Sequence, residues 1–454
     1  DYNRRFGVHG VKATLMGDTR HTLANYDLPQ LPSNIIADVA YDYAEKYFVQ
    51  AALSESYYNR YAPGKRWGTF YAFGLGWDIS KEDFMENADW LNQLKLRGVF
   101  GKTGNGIDNS GYYMYRQTFS HIGTAGYPLG TEMSAMGNVT MENTPLANPF
   151  LTWEKAYKLN VGVDLAMFNN RLKFTADYYN DKYFDLLQNR GKSIELIGQY
   201  YPMENIGKVR RFGGDLSITY QDRVNDFSYY VSANWSCEQS KLLYMDEQEV
   251  PEEYLRQTGR PAGAIYGLVA DGFFTTREEI EKSPVIEGFE NIQPGDIKYK
   301  DVNGDGKIDG NDQVAIGATT KPNLIYGFGI AANWKGLDVN LHFQGAGKST
   351  YFIDGSTVHM FKLGDGWGNV LSEMANSNRW ISADISGDPA TENPNAEYPR
   401  LSYGPNSNNY QQSTYWLRNG SYLRLKTVEV GYTLPTQLVN KVHFNTVRIF
   451  FVGT

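Results

Sequence analysis

The chain has 454 residues, enough for one large domain or two to three ordinary ones. Hydrophobic residues make up 41% and the mean hydropathy is -0.49; no run of about 18 apolar residues occurs, which excludes membrane-spanning helices. The net charge of -8 argues against general nucleic-acid binding, which needs a basic footprint, and Cys237, the single cysteine, excludes an intrachain disulfide and disfavours a cysteine-based metal site.

Strand-like alternation begins at Val39, Tyr41 and Tyr43 and runs on through Tyr47, Val49, Ala51 and Leu53. Tyr71, Phe73, Leu75, Trp77 and Ile79 alternate with Ala72, Gly74, Gly76 and Asp78, and Leu94, Leu96 and Phe100 with Lys95, Arg97 and Val99. The clearest case is Tyr157, Leu159, Val161, Val163, Leu165 and Met167, set against Lys158, Asn160, Gly162 and Asp164. After Asn169-Asn170 it returns as Leu172, Phe174, Ala176 and Tyr178. Phe227 to Trp235 repeats it, then Phe328 to Trp334, which turns through Lys335-Gly336 into Leu337, Val339, Leu341 and Phe343. Val428, Val430 and Tyr432 close the series, with a phase slip near Lys426. Side chains of a strand alternate faces, so each segment has one apolar and one polar face. Soluble strands average five to six residues; segments of about ten joined by turns are the signature of a transmembrane barrel, apolar toward lipid and polar within. The fold class is therefore all-β, an antiparallel transmembrane β-barrel, with about 13 strands by this rule. The composition, with 34 Tyr, 23 Phe and 46 Gly, suits aromatic girdles.

Connections come in two sizes. Asn169-Asn170 and the turn Arg223–Asp226 are tight, whereas 103–149, 241–322 and 345–420 are long. Short turns at one end and long extracellular loops at the other are a barrel's asymmetry. An odd strand number, the absence of a leading Met before Asp1, and the row Val447, Ile449 and Phe451 that stops near Thr454 read as a piece of a longer protein. The whole chain, 1–454, reads as part of one barrel domain.

The sharpest local motif is 301–312, DVNGDGKIDGND. It matches an EF-hand-like calcium loop: Asp301, Asn303, Asp305, Asp309 and Asp312 offer side-chain oxygens, Lys307 a carbonyl, and Gly306 the sharp turn. Calcium is a hard cation that takes six to eight oxygens, so this donor set is the physical requirement. Asp312 stands where a longer Glu is usual. The plainer account is a run of turn formers; the filled ligand positions favour calcium in a structural role.

Catalytic constellations are missing. The six histidines are scattered, no GxSxG or phosphate loop occurs, and the carboxylate pairs sit in polar loop stretches. The chain reads as a non-enzyme. Aromatics inside the long loops are the better clue: Tyr112, Tyr113, Tyr115, Tyr351, Trp367, Trp380, Tyr403, Tyr410, Tyr415 and Trp416. Rings beside Asn, Asp and Arg stack on sugars or contact peptides, and Tyr113, Tyr115, Tyr351, Trp367, Trp380 and Tyr403 are the candidate substrate contacts. For any single ring, packing of loop on loop is the simpler account.

In order along the chain, Tyr41-Asp42-Tyr43, Arg66-Trp67-Gly68, Leu75-Gly76-Trp77, Leu94-Lys95-Leu96-Arg97, Gly101-Lys102-Thr103-Gly104-Asn105, Leu151-Thr152-Trp153-Glu154-Lys155, Asp177-Tyr178-Tyr179-Asn180, Pro294-Gly295-Asp296-Ile297-Lys298-Tyr299-Lys300, Tyr422-Leu423-Arg424-Leu425-Lys426 and Gly431-Tyr432-Thr433-Leu434-Pro435 resemble the SusC/RagA family of TonB-dependent outer-membrane transporters. Any one phrase is common; their order is specific. The resemblance implies a 22-stranded barrel with an N-terminal plug outside this chain, in the outer membrane. It further implies a SusD-like surface lipoprotein as lid, energy from the TonB complex, and import of glycans or peptides. The competing reading is a secreted or surface β-protein with an adhesive calcium module; a dockerin would need a second calcium loop, and none is present. A hydrolase lacks a nucleophile.

Overall fold

A computed structural model describes residues 1–23, 29–106, 113–122, 139–142, 146–191, 201–355, 358–359, 361, 370–376, 378–402, 404 and 406–454. Fourteen strands form one sheet: β1 (Tyr2–Phe6), β2 (His9–Thr19), β3 (Pro32–Tyr43), β4 (Tyr47–Tyr58), β5 (Trp67–Asp78), β6 (Leu91–Asn105), β7 (Glu154–Met167), β8 (Leu172–Gln188), β9 (Glu204–Val224), β10 (Phe227–Tyr244), β11 (Leu324–Trp334), β12 (Leu337–Gly347), β13 (Tyr422–Thr433) and β14 (Arg448–Gly453). Each lies beside the next in chain order, and β1 through β10 and the pair β13–β14 run antiparallel. The number exceeds the expected thirteen because of hairpins such as β1–β2, which alternation did not single out; Arg4-Arg5 interrupts its apolar row. Among the described residues no helix is long and apolar enough to cross a membrane.

The connections alternate between the two ends of the sheet, as antiparallel neighbours require. Ala44 and Glu45 turn β3 into β4, Asn169 and Asn170 turn β7 into β8, Asn225 turns β9 into β10 and Lys335-Gly336 turns β11 into β12. All of these take positive φ, the geometry of tight hairpin turns that match strand twist. The intervening connections, 106–153, 189–203, 245–323 and 348–421, are the long ones, so tight turns gather at one end and long loops at the other.

The described chain divides into two compact units. One comprises Asp1–Glu249, Ile325–Gln344 and Arg424–Thr454; the other comprises Val250–Leu324 and Gly345–Leu423. The second unit has a core of its own: Leu268, Phe273, Phe274, Ile286, Ile297, Tyr299, Ile308, Trp380 and Ala396. In the first, Tyr58, Tyr61, Phe70, Leu151 and Trp153 cluster at the loop end of β4–β7. A Cβ at Gly68 or Gly106 would press on these rings, at 2.7 Å from Phe70 and 3.3 Å from Tyr58. Sequence phrases far apart along the chain thus meet around Trp153.

Candidate functional site

Register fixes which face each side chain takes. Leu96, Phe100, Leu159, Val161, Tyr178 and Ile218 fall on one face across β6 to β9, and Arg97, Asn160, Gly162, Asp164, Asp177 and Asp215 on the other. The apolar face is the exposed one: Leu75 is 66% exposed, Val161 51% and Ile449 67%. A soluble sandwich buries this face. Here it stays uncovered across the sheet, as a wall facing lipid must.

The opposite face is bound together by charge. Arg97 on β6 donates to both oxygens of Asp177 on β8 at 2.6 Å, reaching across β7, and to Asp164 at 3.0 Å. Gly162 is the β7 residue between them in register; a Cβ there would lie 2.6 Å from Asp177 Oδ1 and 2.7 Å from Arg97 Cζ. Farther round, Arg448 bridges Asp338 and Glu429, beside Gly431. Two hollows lie on this wall. One, of about 450 Å³, is lined by Lys12, Asp42, Phe48, Gln50, Lys95 and Arg97 among others. The other, of about 690 Å³, is lined near the tight turns by Arg171, Asp222, Tyr230, Asn340 and Arg448 among others.

Residues 17–451 match the family model described as TonB dependent receptor-like, beta-barrel. The chain belongs to that family. A TonB-dependent receptor of Formosa agariphila is 27% identical over 435 residues, covering 92% of this chain and 40% of the relative. The TonB-dependent receptor SusC of Bacteroides thetaiotaomicron is 25% identical over 430 residues, covering 91% and 38%. The chain therefore spans less than half the length of these curated relatives. The solved structure of the RagAB peptide transporter superposes with a TM-score of 0.72 at 20% identity, covering 99% of this chain and 50% of that one, a likeness of fold. This TonB-dependent receptor chain is the barrel portion of an outer-membrane protein, and the family is one of receptors rather than enzymes.

The second unit of the receptor chain is tied by a buried carboxylate. Asp296, 1% exposed, accepts from Arg400 Nε (2.7 Å) and Nη2 (3.1 Å), Asn406 Nδ2, Asn409 Nδ2 and the Gln293 backbone N–H. Asn409 also accepts from the backbone of Ile297, and Tyr299 donates to the carbonyl of Asn408 at 2.6 Å. The segments around 296 and 408 are thereby locked together, 112 residues apart between Ile297 and Asn409. Burial pushes the Tyr299 and Tyr415 phenols upward. Nearby, Glu279 is raised by burial, but bonds from the Thr275 backbone and hydroxyl and from Lys298 outweigh that and bring it down to about 2.

The expected substrate contacts separate into three groups. Tyr113 is buried, donating to Pro29 O and accepting from Asn59, both at 3.0 Å, and stacks edge-on with Tyr115; both rings do packing work under Arg116. Trp380 is 4% exposed and sits in the loop core. Tyr351, 47% exposed on a short strand paired with Leu417–Asn419, is the ring left open to a ligand. Trp367 and Tyr403 lie outside the described residues, as does Tyr112. Sequence reasoning did not single out Arg277, Arg379 or Glu392, which wall a cavity beside Trp380; only their closeness in space marks them.

The calcium-type loop folds as a set of backbone-capping turns. Asp301 accepts from Gly304 and Gly306, Asn303 from Asp305, Asp305 from Lys307, and Asp309 from Asn311. Asp312, fully buried, accepts from Val302 and Asp309, one on each oxygen. Ile308 anchors the loop in the core, paired with Ile286. Chemically the donor set suits a hard cation, and each carboxylate keeps lone pairs beyond these bonds. As placed, no three His, Cys, Asp or Glu side chains among the described residues are grouped to hold a metal.

Proposed function

We propose that the chain is the wall and loop portion of an active importer, taking oligosaccharides or peptides through the outer membrane with energy supplied through TonB. A SusD-like surface lipoprotein closes the loop end as a lid, and calcium ties the loop 301–312 without taking part in transport. The observation that carries the reading is the uncovered apolar face on strands as long as 21 residues, backed by a charge-laced polar face. Family membership supports the same reading. Such a wall encloses a polar path, and no bond-making chemistry is needed to move a solute along it.

The test is uptake by cells carrying the full-length protein. Labelled oligosaccharide and peptide pools should accumulate when the inner-membrane proton gradient is intact, and accumulation should cease when it is collapsed or TonB is deleted. Accumulation that survives both treatments sinks the importer. A detergent-free, soluble native protein would instead favour the secreted calcium-binding β-protein.

A further inference from the structure

The second unit holds a cavity of about 390 Å³, within the range of small-ligand sites. Arg277 and Arg379 line it, as do Asp384 and Glu392. Among the described residues Arg277 donates to Gln293 Oε1 (2.6 Å), and Arg379 to the carbonyls of Met374 and Ala375. Neither has a carboxylate within ion-pair distance among the described residues; nor do Asp384 and Glu392 have a cation. Glu392 accepts one bond, from the Ala383 backbone. Arg277 and Asp384 stand at the exposed rim of the cavity and Arg379 and Glu392 are half-buried, so both signs of charge are open to a ligand that carries the complementary groups.

Two more groups await partners there. Ser382 precedes the short helix Ala383–Ser386, yet its hydroxyl caps nothing. Trp380, almost wholly buried on the same wall, has an indole N–H with no hydrogen bond among the described residues, and such orphans in a well-packed interior call for a ligand or solvent. Pro294, Ile381, Ile385 and Leu401 complete an apolar lining. Glycan sites present exposed ring faces for stacking, but the one aromatic here is buried.

Resting on the import reading, we propose that the cavity walled by Arg277, Arg379, Trp380, Ser382, Asp384 and Glu392 binds a short peptide segment carrying both charges. The two arginines take a carboxylate of the peptide, and Asp384 and Glu392 take an ammonium. A peptide carbonyl accepts from the Trp380 indole, and small apolar side chains rest on Pro294, Ile381 and Leu401.

The experiment uses the full-length protein in detergent. It is incubated with a tryptic digest of casein, with the same digest acetylated and methyl-esterified, and with maltodextrin, and the retained ligand is quantified by mass spectrometry. The free-charge digest should be retained at least about tenfold more than its blocked form or the maltodextrin. Glu392→Gln and Arg277→Gln should each cut that retention about tenfold, the usual loss for one charged hydrogen bond. Both variants must migrate as folded, heat-modifiable barrels. Equal retention of the blocked digest, retention indifferent to both variants, or no retention of any digest overturns the assignment. Energy-dependent uptake measured in parallel separates this failure from that of the importer, because uptake can persist while cavity selectivity does not.

Discussion

At the scale of single residues, the wall depends on glycine where charges cross a strand. Gly162 lets Arg97 reach over β7 to Asp177. Gly162→Val should break this bridge by overpacking, at a cost of about 1–3 kcal/mol, and lower the temperature at which the folded barrel converts on a heat-modifiability gel. An unchanged conversion temperature would show that the bridge has slack. Glu279 makes a pH prediction. Its folded value near 2 lies below the ordinary 4.5, so the ionised carboxylate stabilises the segment around Arg277–Lys282. That contribution is full above about 4.5 and is lost as pH falls toward 2. Hydrogen exchange of this helix, compared between wild type and Glu279→Gln, should converge as the pH drops through that window. A difference that stays constant with pH would refute the assignment.

At the scale of elements, strand and loop answer to different physics. The apolar rows of the strands face outward, so Val161→Arg should cost about 2–4 kcal/mol if it lies near the bilayer midplane, whereas Asn160→Arg on the opposite face should be tolerated. Folding yield into detergent or lipid compares them, and equal penalties would contradict the assigned faces. A 21-residue strand such as β9 extends roughly 70 Å at 3.3 Å per residue, more than a tilted strand needs to cross about 30 Å of hydrocarbon. The hairpin β9–β10 is therefore longer than a crossing needs, and the surplus length is paired sheet rather than loop. The loop 301–312 is an element with its own test. Calcium should raise the thermal stability of the full-length protein and protect this segment from proteolysis, with EGTA reversing both. Asp305→Asn should weaken the effect. No shift with calcium would leave the loop as the hydrogen-bonded turn array of its backbone caps.

At the scale of the whole molecule, the sheet leaves β1 and β14 as its two edges. A barrel abolishes edges, and exposed ones template aggregation. Residues 1–454 expressed alone should therefore aggregate, while the full-length protein yields a heat-modifiable barrel; a soluble, monomeric 1–454 would refute this. The sequence by itself determined the wall: period-two alternation sustained over ten or more residues is a local property, set by which side of each pleat meets lipid. It also determined the tight turns at Asn169-Asn170 and Lys335-Gly336, because Asn and Gly enter positive φ readily. Ordered phrases such as Arg66-Trp67-Gly68 and Leu151-Thr152-Trp153 pointed to the family, although their meeting around Trp153 shows only in space. What tertiary structure alone decided lies in the long loops. No periodicity marks them, since their contacts join residues more than a hundred positions apart, as Asp296 with Arg400 and Asn409. Loop aromatics that look alike in sequence thereby part company: Trp380 is spent on the core and Tyr351 stays open. The charges around Trp380 gather into one cavity only because the two loops fold as a unit, and residue identity carries no record of that distance.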